Sequence, residues 1–134
     1  MMQGVCKIGG VAYDVHVVEL IESFNILYSD NTGRTLAQGA PMTLDPLGTF
    51  IGHRVTFSRV GGKEKDYDRL YEYTYQPRTE GIDIEIVHLQ KSISYKAYVS
   101  QGERAVERVD PVTKKVYYGQ FTLNIVPMEA QILP

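Results

Sequence analysis

Apolar and polar residues alternate with a period of two along most of this chain, and that pattern is the strongest constraint on its fold. Successive side chains of a β-strand point to opposite faces, so such alternation describes strands with one dry and one wet side. Ile82, Ile84 and Ile86 alternate with Asp83, Glu85 and Val87. Ile93, Tyr95, Ala97 and Val99 form a second run, and Phe121, Leu123 and Ile125 carry the same beat through the segment 118–126. Earlier in the chain Tyr13, Val15 and Val17 alternate across 12–18, Phe24, Ile26 and Tyr28 share a parity, and Val55 and Phe57 lie on one face of 53–60. Strands that are wet on one side belong to antiparallel sheets.

Only one stretch breaks this beat for a helical one. In Lys63–Thr74, the residues Tyr67, Leu70, Tyr71 and Thr74 fall at i, i+3, i+4 and i+7, one stripe of a helix that faces a core. Gly61-Gly62 precedes it and Pro77 ends it. Turn chemistry separates the other runs. Gly9-Gly10 suits a tight turn between a short strand at 5–8 and the next strand, an N-terminal hairpin. Ser29-Asp30-Asn31-Thr32-Gly33 is a turn by composition, and Asp110-Pro111-Val112-Thr113-Lys114-Lys115 reads as the tip of a long hairpin with arms over 102–116. The sum is roughly seven strands and one helix in a single domain: mainly β, an antiparallel β-sandwich or partly open barrel with one flanking α-helix.

One segment fits neither period. Residues 39–52 contain Pro41, Pro46, Gly39, Gly48 and Gly52, yet also Met42, Leu44, Leu47, Phe50 and Ile51. The composition predicts a long loop, and its apolar side chains predict that it packs on the core or orders against another subunit. The charged tip with Pro111 and Lys114 is the second expected assembly element.

The chemistry-bearing residues do not form a recognisable constellation. His16, His53 and His88 are the only histidines and lack metal-ligand spacing, so surface or half-buried imidazoles are expected, with His88 hydrogen-bonded at a strand end. Asp66, Asp68 and Glu72 sit where carboxylates complement a helix N-terminus. Ser58, Ser92, Ser94 and Ser100 have no nucleophile elbow, Gly61-Gly62-Lys63 is not a phosphate loop, and Asp30-Asn31-Thr32-Gly33 lacks the glutamate of a calcium loop. Hence no enzyme, no cofactor and no metal are expected. Cys6 is the single cysteine, so no intrachain disulfide can form. With a net charge of -2 there is no basic excess for sequence-specific nucleic-acid binding. The absence of a long apolar run or secretory leader predicts cytosolic synthesis and no membrane anchor. Ten tyrosines leave a second expectation open, a small barrel that grips a nucleic-acid strand or a glycan through exposed rings. Tyr13, Tyr28, Tyr67, Tyr71 and Tyr95 are expected inward.

The run Val17–Leu27 followed by Asn31-Thr32-Gly33-Arg34-Thr35, together with Gly48–Phe57, Asp66–Glu72 and Phe121–Ala130, resembles small prophage proteins from long-tailed phages of Gram-positive bacteria. That resemblance implies a tail-tube-like virion component of the tail, tail tip or head-to-tail junction. It further implies a homo-oligomeric ring beside other phage structural proteins, made in the host cytoplasm and carried in the virion.

Overall fold

The computed structural model describes residues 2 and 4–134. Its framework is one six-stranded antiparallel sheet curled into a half-barrel. The strands are β1 (Cys6–Ile8), β2 (Val15–Tyr28), β5 (Pro46–Arg59), β6 (Ile82–His88), β7 (Lys91–Tyr98) and β10 (Phe121–Pro127), in the order β1-β6-β7-β10-β5-β2. Two short ribbons project from it: β3 (Gly33–Arg34) with β4 (Met42–Thr43), and β8 (Val106–Val109) with β9 (Val116–Tyr118). The single helix α1 (Glu64–Tyr75) packs on the barrel. The mainly β fold with one helix is the one the periodicities predict, and the partly open barrel is the form it takes.

The barrel bends because β10 changes partner. Phe121–Ile125 pair with β5, whereas Val126 and Pro127 pair with β7, so one strand turns the corner between two halves of the sheet. The alternating residues read from the sequence line the inside. Ile82, Ile84, Ile86, Phe121, Leu123 and Ile125 are buried together with Val55 and Phe57. Tyr67 and Leu70 close this core from the helix, with Tyr67 and Tyr71 each edge-on to Phe121 at 5.3 Å between ring centres. The Tyr67 hydroxyl donates to the Gly119 carbonyl, which satisfies its polar end inside the core. Burial pushes the Tyr67 phenol up to about 12.

Four expectations are corrected. The Gly9-Gly10 turn exists, with φ of 61° and 80° and an Ile8–Val11 bridge, but no hairpin follows it. Strand β1 pairs with β6, while β2 lies at the opposite end of the strand order. Turn chemistry is local, whereas strand partnership is decided by where the apolar faces of distant segments meet. Next, residues 46–52 are not a loop. They are the first half of β5, laddered to β2 from Tyr28–Pro46 to Glu22–His53, and only the short β3–β4 ribbon and its turns remain irregular. The expected strands at 12–18 and 24–28 are correspondingly one strand of 14 residues. Tyr28 is exposed rather than inward. The charged tip is as expected: Asp110 Oδ1 accepts the amides of Val112 and Thr113, and Pro111 and Lys114 are exposed.

Candidate functional site

The register of β2 contains a bulge between Val17 and Glu19. An extra residue in one strand reverses which side chains point inward beyond it. Val15 and Val17 face the core before the bulge; after it Leu20 opposes Val55 and Glu22 opposes His53, both partners buried. The bulge therefore aims a carboxylate into the barrel, where strict alternation from Val17 would have left Glu22 on the outer face.

What Glu22 meets there is a pair of imidazoles. His53 lies in mid-strand with its side chain fully buried, its Nε2 3.3 Å from Glu22 Oε1 and its Nδ1 2.7 Å from the Tyr95 hydroxyl. His88, at the end of β6, places Nδ1 2.6 Å from the same Glu22 oxygen. An ionised carboxylate only accepts, so His88 Nδ1–H donates to Glu22 and His53 carries its proton on Nε2, leaving His53 Nδ1 to accept from the Tyr95 hydroxyl. The His53–Glu22 contact falls outside good hydrogen-bond geometry, so Nε2 is buried and poorly satisfied. Burial pushes the His53 imidazole below its ordinary value, opposed by the Glu22 charge. The hydrogen bond from His88 holds the Glu22 carboxyl below the usual range. Burial raises the Tyr95 phenol, and it pushes the nearby Cys6 thiol up to about 12.

The Glu22–His88 bond spans the sheet. Strands β2 and β6 are four inter-strand steps apart, about 19 Å in a flat sheet, yet their side chains meet at hydrogen-bond distance. Among the described residues it is the one hydrogen bond or ion pair that joins β2 to β6. It closes the mouth of the half-barrel. The 2.6 Å between His88 and Glu22 is that of a hydrogen bond, and among the described residues no group of three or more His, Cys, Asp or Glu side chains is arranged to hold a metal. The expectation of surface or half-buried histidines holds for exposed His16 and half-buried His88; His53 is buried in the core, where it shares a partner with His88. His88 is hydrogen-bonded at its strand end as expected.

Beyond this cluster the β2–β5 ladder leaves the sheet. Ile125–His53 is the last pair between β10 and β5, so from Gly52 onward β5 has only β2 as a full-length partner. Part of the other edge is covered by the C-terminal segment. The Gln131 carboxamide accepts from the Ile51 amide at 2.9 Å and donates to the Ile51 carbonyl at 2.8 Å, and Thr49 bridges Ile132. The result is a projecting two-stranded ribbon tipped by β3–β4. Every residue of β2 from Ile21 to Tyr28 is exposed, including Phe24 at 72%. Met42, Leu44 and Leu47, expected as assembly residues, are exposed on this ribbon with Leu36, whereas Phe50 is half-buried and Ile51 is buried at its root.

Neither a family model nor any curated protein matches the chain.

Two cavities adjoin these features. A groove of about 780 Å³ on the outer face of the sheet runs beside the ribbon root, walled by Ile21, Leu27, Phe50, Tyr98, Val126 and Met128. A cavity of about 410 Å³ between the helix end and β7 is lined by Tyr71, Tyr75, Tyr98 and Arg78. Other tyrosines are covered by the chain's own cations: Arg104 lies 3.6 Å from the Tyr118 ring centre and 4.1 Å from that of Tyr71, and Arg108 lies 4.2 Å from that of Tyr117. Among the described residues no helix is long and apolar enough to cross a membrane.

Proposed function

We propose that the protein is a structural subunit that self-associates into rings, in the phage-virion setting its sequence resemblance implies, and that the β2–β5 ribbon is the element reaching the neighbouring subunit. The observation that carries this reading is the ribbon itself. An isolated two-stranded hairpin is marginally stable in water, and this one bears large apolar side chains on both faces: Phe24 and Ile26 on one, Leu27 and Phe50 on the other. At the exposures of its large apolar residues, the ribbon leaves on the order of 1,000 Å² of their surface in water, against about 800 Å² buried by each partner in a standard interface. A second copy is the occupant this area fits. The ribbon tip with Leu36, Met42 and Leu44 lies apart from the outer groove, which the ribbon root helps to wall, so a tip-to-groove contact that is not reciprocated is heterologous and propagates around a ring.

Sedimentation and electron microscopy of the purified chain over a range of concentrations test the reading. The native chain is expected to form closed rings, and the double variant Leu36→Asp, Leu44→Asp to remain monomeric with an unchanged melting temperature, because both side chains are exposed in the monomer. A native chain that stays monomeric throughout, or a double variant that assembles equally well, sinks the ribbon reading.

A second reading, a module that binds a glycan or nucleic-acid strand, draws on the cavity where the exposed Tyr75 and Tyr98 stand beside Arg78. It predicts that Tyr75→Ala, at a cavity residue outside the outer groove, abolishes binding while leaving assembly intact.

A further inference from the structure

The Glu22–His53 pair occupies a mechanically distinct position. It is the last cross-strand pair of β2 and β5 at which β10 still runs alongside, and Gly52 and Ser23, immediately beyond it, begin the free ribbon. His88 on the far side of the mouth holds the same carboxylate. We propose that Glu22, His53 and His88 form a proton-operated latch that keeps the mouth of the half-barrel closed around the ribbon root at neutral pH and releases it on acidification.

The argument rests on which groups face the latch. From β2 comes Glu22, from β5 the buried His53, and from β6 His88. From β7 come Tyr95, bonded to His53, and Lys91, the ladder partner of His88. From β1 comes Cys6, close to Tyr95, and β10 contributes the apolar Ile125 opposite His53. Glu19 and Arg54 pair with each other on the barrel side of the latch, 3.9 Å apart and both exposed. Within the closed mouth one carboxylate is, among the described residues, the only ion-pair partner of the two imidazoles. A proton added to the fully buried His53 therefore leaves a charge that the protein screens from solvent. Opening the mouth exposes His53 and breaks the His88–Glu22 bond, so that His53 and Glu22 each take up a proton more readily than in the closed state. Both groups thus drive the same direction: protons favour the open form. A rigid strap opposes this only on the other ribbon edge, where Gln131 holds Ile51. Movement is therefore confined to β2 and its junction with β6. If the ribbon is the assembly element, and on that reading alone, the latch sets the attitude of the assembly element by pH.

Hydrogen exchange on the full chain, at a concentration where it is monomeric, decides the matter. After correction for intrinsic rates, acidification from about pH 7.5 to about pH 5.5 is expected to speed exchange of the β2 amides between Glu19 and Phe24 selectively. The factor is up to about tenfold per pH unit for each proton taken up. The β6–β7 ladder is expected to respond far less. In Glu22→Gln the β2 amides should already exchange at neutral pH as fast as those of the native chain in acid. Equal acid responses of the β2–β5 and β6–β7 ladders in the native chain would overturn the latch, as would unchanged β2 protection in a folded Glu22→Gln. Should that variant fail to fold, the native comparison decides alone. Ring formation is measured separately, so absence of rings refutes the assembly reading without touching this one.

Discussion

Replacing Leu70 by alanine probes whether the helix belongs to the barrel core or merely leans on it. Leu70 is completely buried between Tyr67 and Thr74 on the stripe that faces the sheet. Truncation removes three carbon groups, and at about 0.8 kcal/mol for each the lost transfer energy is roughly 2.4 kcal/mol. In the core cluster to which Leu70 belongs, the rings of Tyr67, Tyr71, Phe57 and Phe121 are held edge-to-face and tilted against one another, so the cluster does not collapse freely into the space. A residual cavity then raises the cost toward the roughly 3–5 kcal/mol range of well-packed sites. With a urea dependence of about 1–3 kcal/mol per molar, the unfolding midpoint should fall by roughly 1–5 M at unchanged slope. Urea melts followed by circular dichroism measure it, with Leu36→Ala, at a fully exposed position, as the control whose midpoint should not move. Equal midpoints for Leu70→Ala and Leu36→Ala would refute the packing argument.

Two further outcomes are expected. The His53 imidazole sits below its ordinary 6.5 and the Glu22 carboxyl below its ordinary 4.5, so the stability each contributes is complete above its ordinary value and is lost as pH falls through its folded value. Thermal melts should therefore show a first decline beginning near pH 6.5 and a second below 4.5, with His53→Gln flattening the first. Gly81 has φ of 79°, and a Cβ there would fall on Met128 Sδ and within 2.8 Å of the Ala97 carbonyl oxygen. Gly81→Ala should cost at least about 1–2 kcal/mol from backbone strain alone, read as a lower melting temperature.

How much of this was legible in the sequence depends on whether the two faces of an element differ. Ile82, Ile84 and Ile86, or Phe121, Leu123 and Ile125, face a core on one side and water on the other, so alternation marks them. The helix stripe Tyr67–Leu70–Thr74 is legible for the same reason at the helical period. Residues 46–52 were not, because both faces of the ribbon are largely outside the core and there is no inside–outside difference for a period to record. Pro46, Gly48 and Gly52 then read as loop residues, although the ladder from Tyr28–Pro46 to Ser23–Gly52 holds them as strand. The clustering of His53 with Glu22 and His88 was illegible on separate grounds. It depends on the bulge after Val17, which reverses parity, and on closure of strands that are 66 residues apart in the chain. The only local hint was Val17-Val18 followed by Glu19, two successive apolar residues where alternation asks for one.

The bulge also explains how one strand can serve two purposes. Between Val15 and Val17 β2 is a core strand, with Val15 fully buried and Val17 opposite Phe57. From Ile21 onward it is a ribbon strand, exposed on both faces. A strand with unbroken parity would put Ile21 inward, opposite a buried partner on β5, and Glu22 outward. The barrel would gain apolar burial worth roughly 1–2 kcal/mol and lose the carboxylate that His88 and His53 share. The observed register does the reverse, placing a charge in the mouth and leaving Ile21 at the outer groove. A core that only needed stability would favour the first arrangement, since buried ion pairs seldom outperform apolar packing. The second makes sense where the mouth must be able to open and the outer groove must stay apolar, which are the two properties that a latch and a docking ribbon require of this strand.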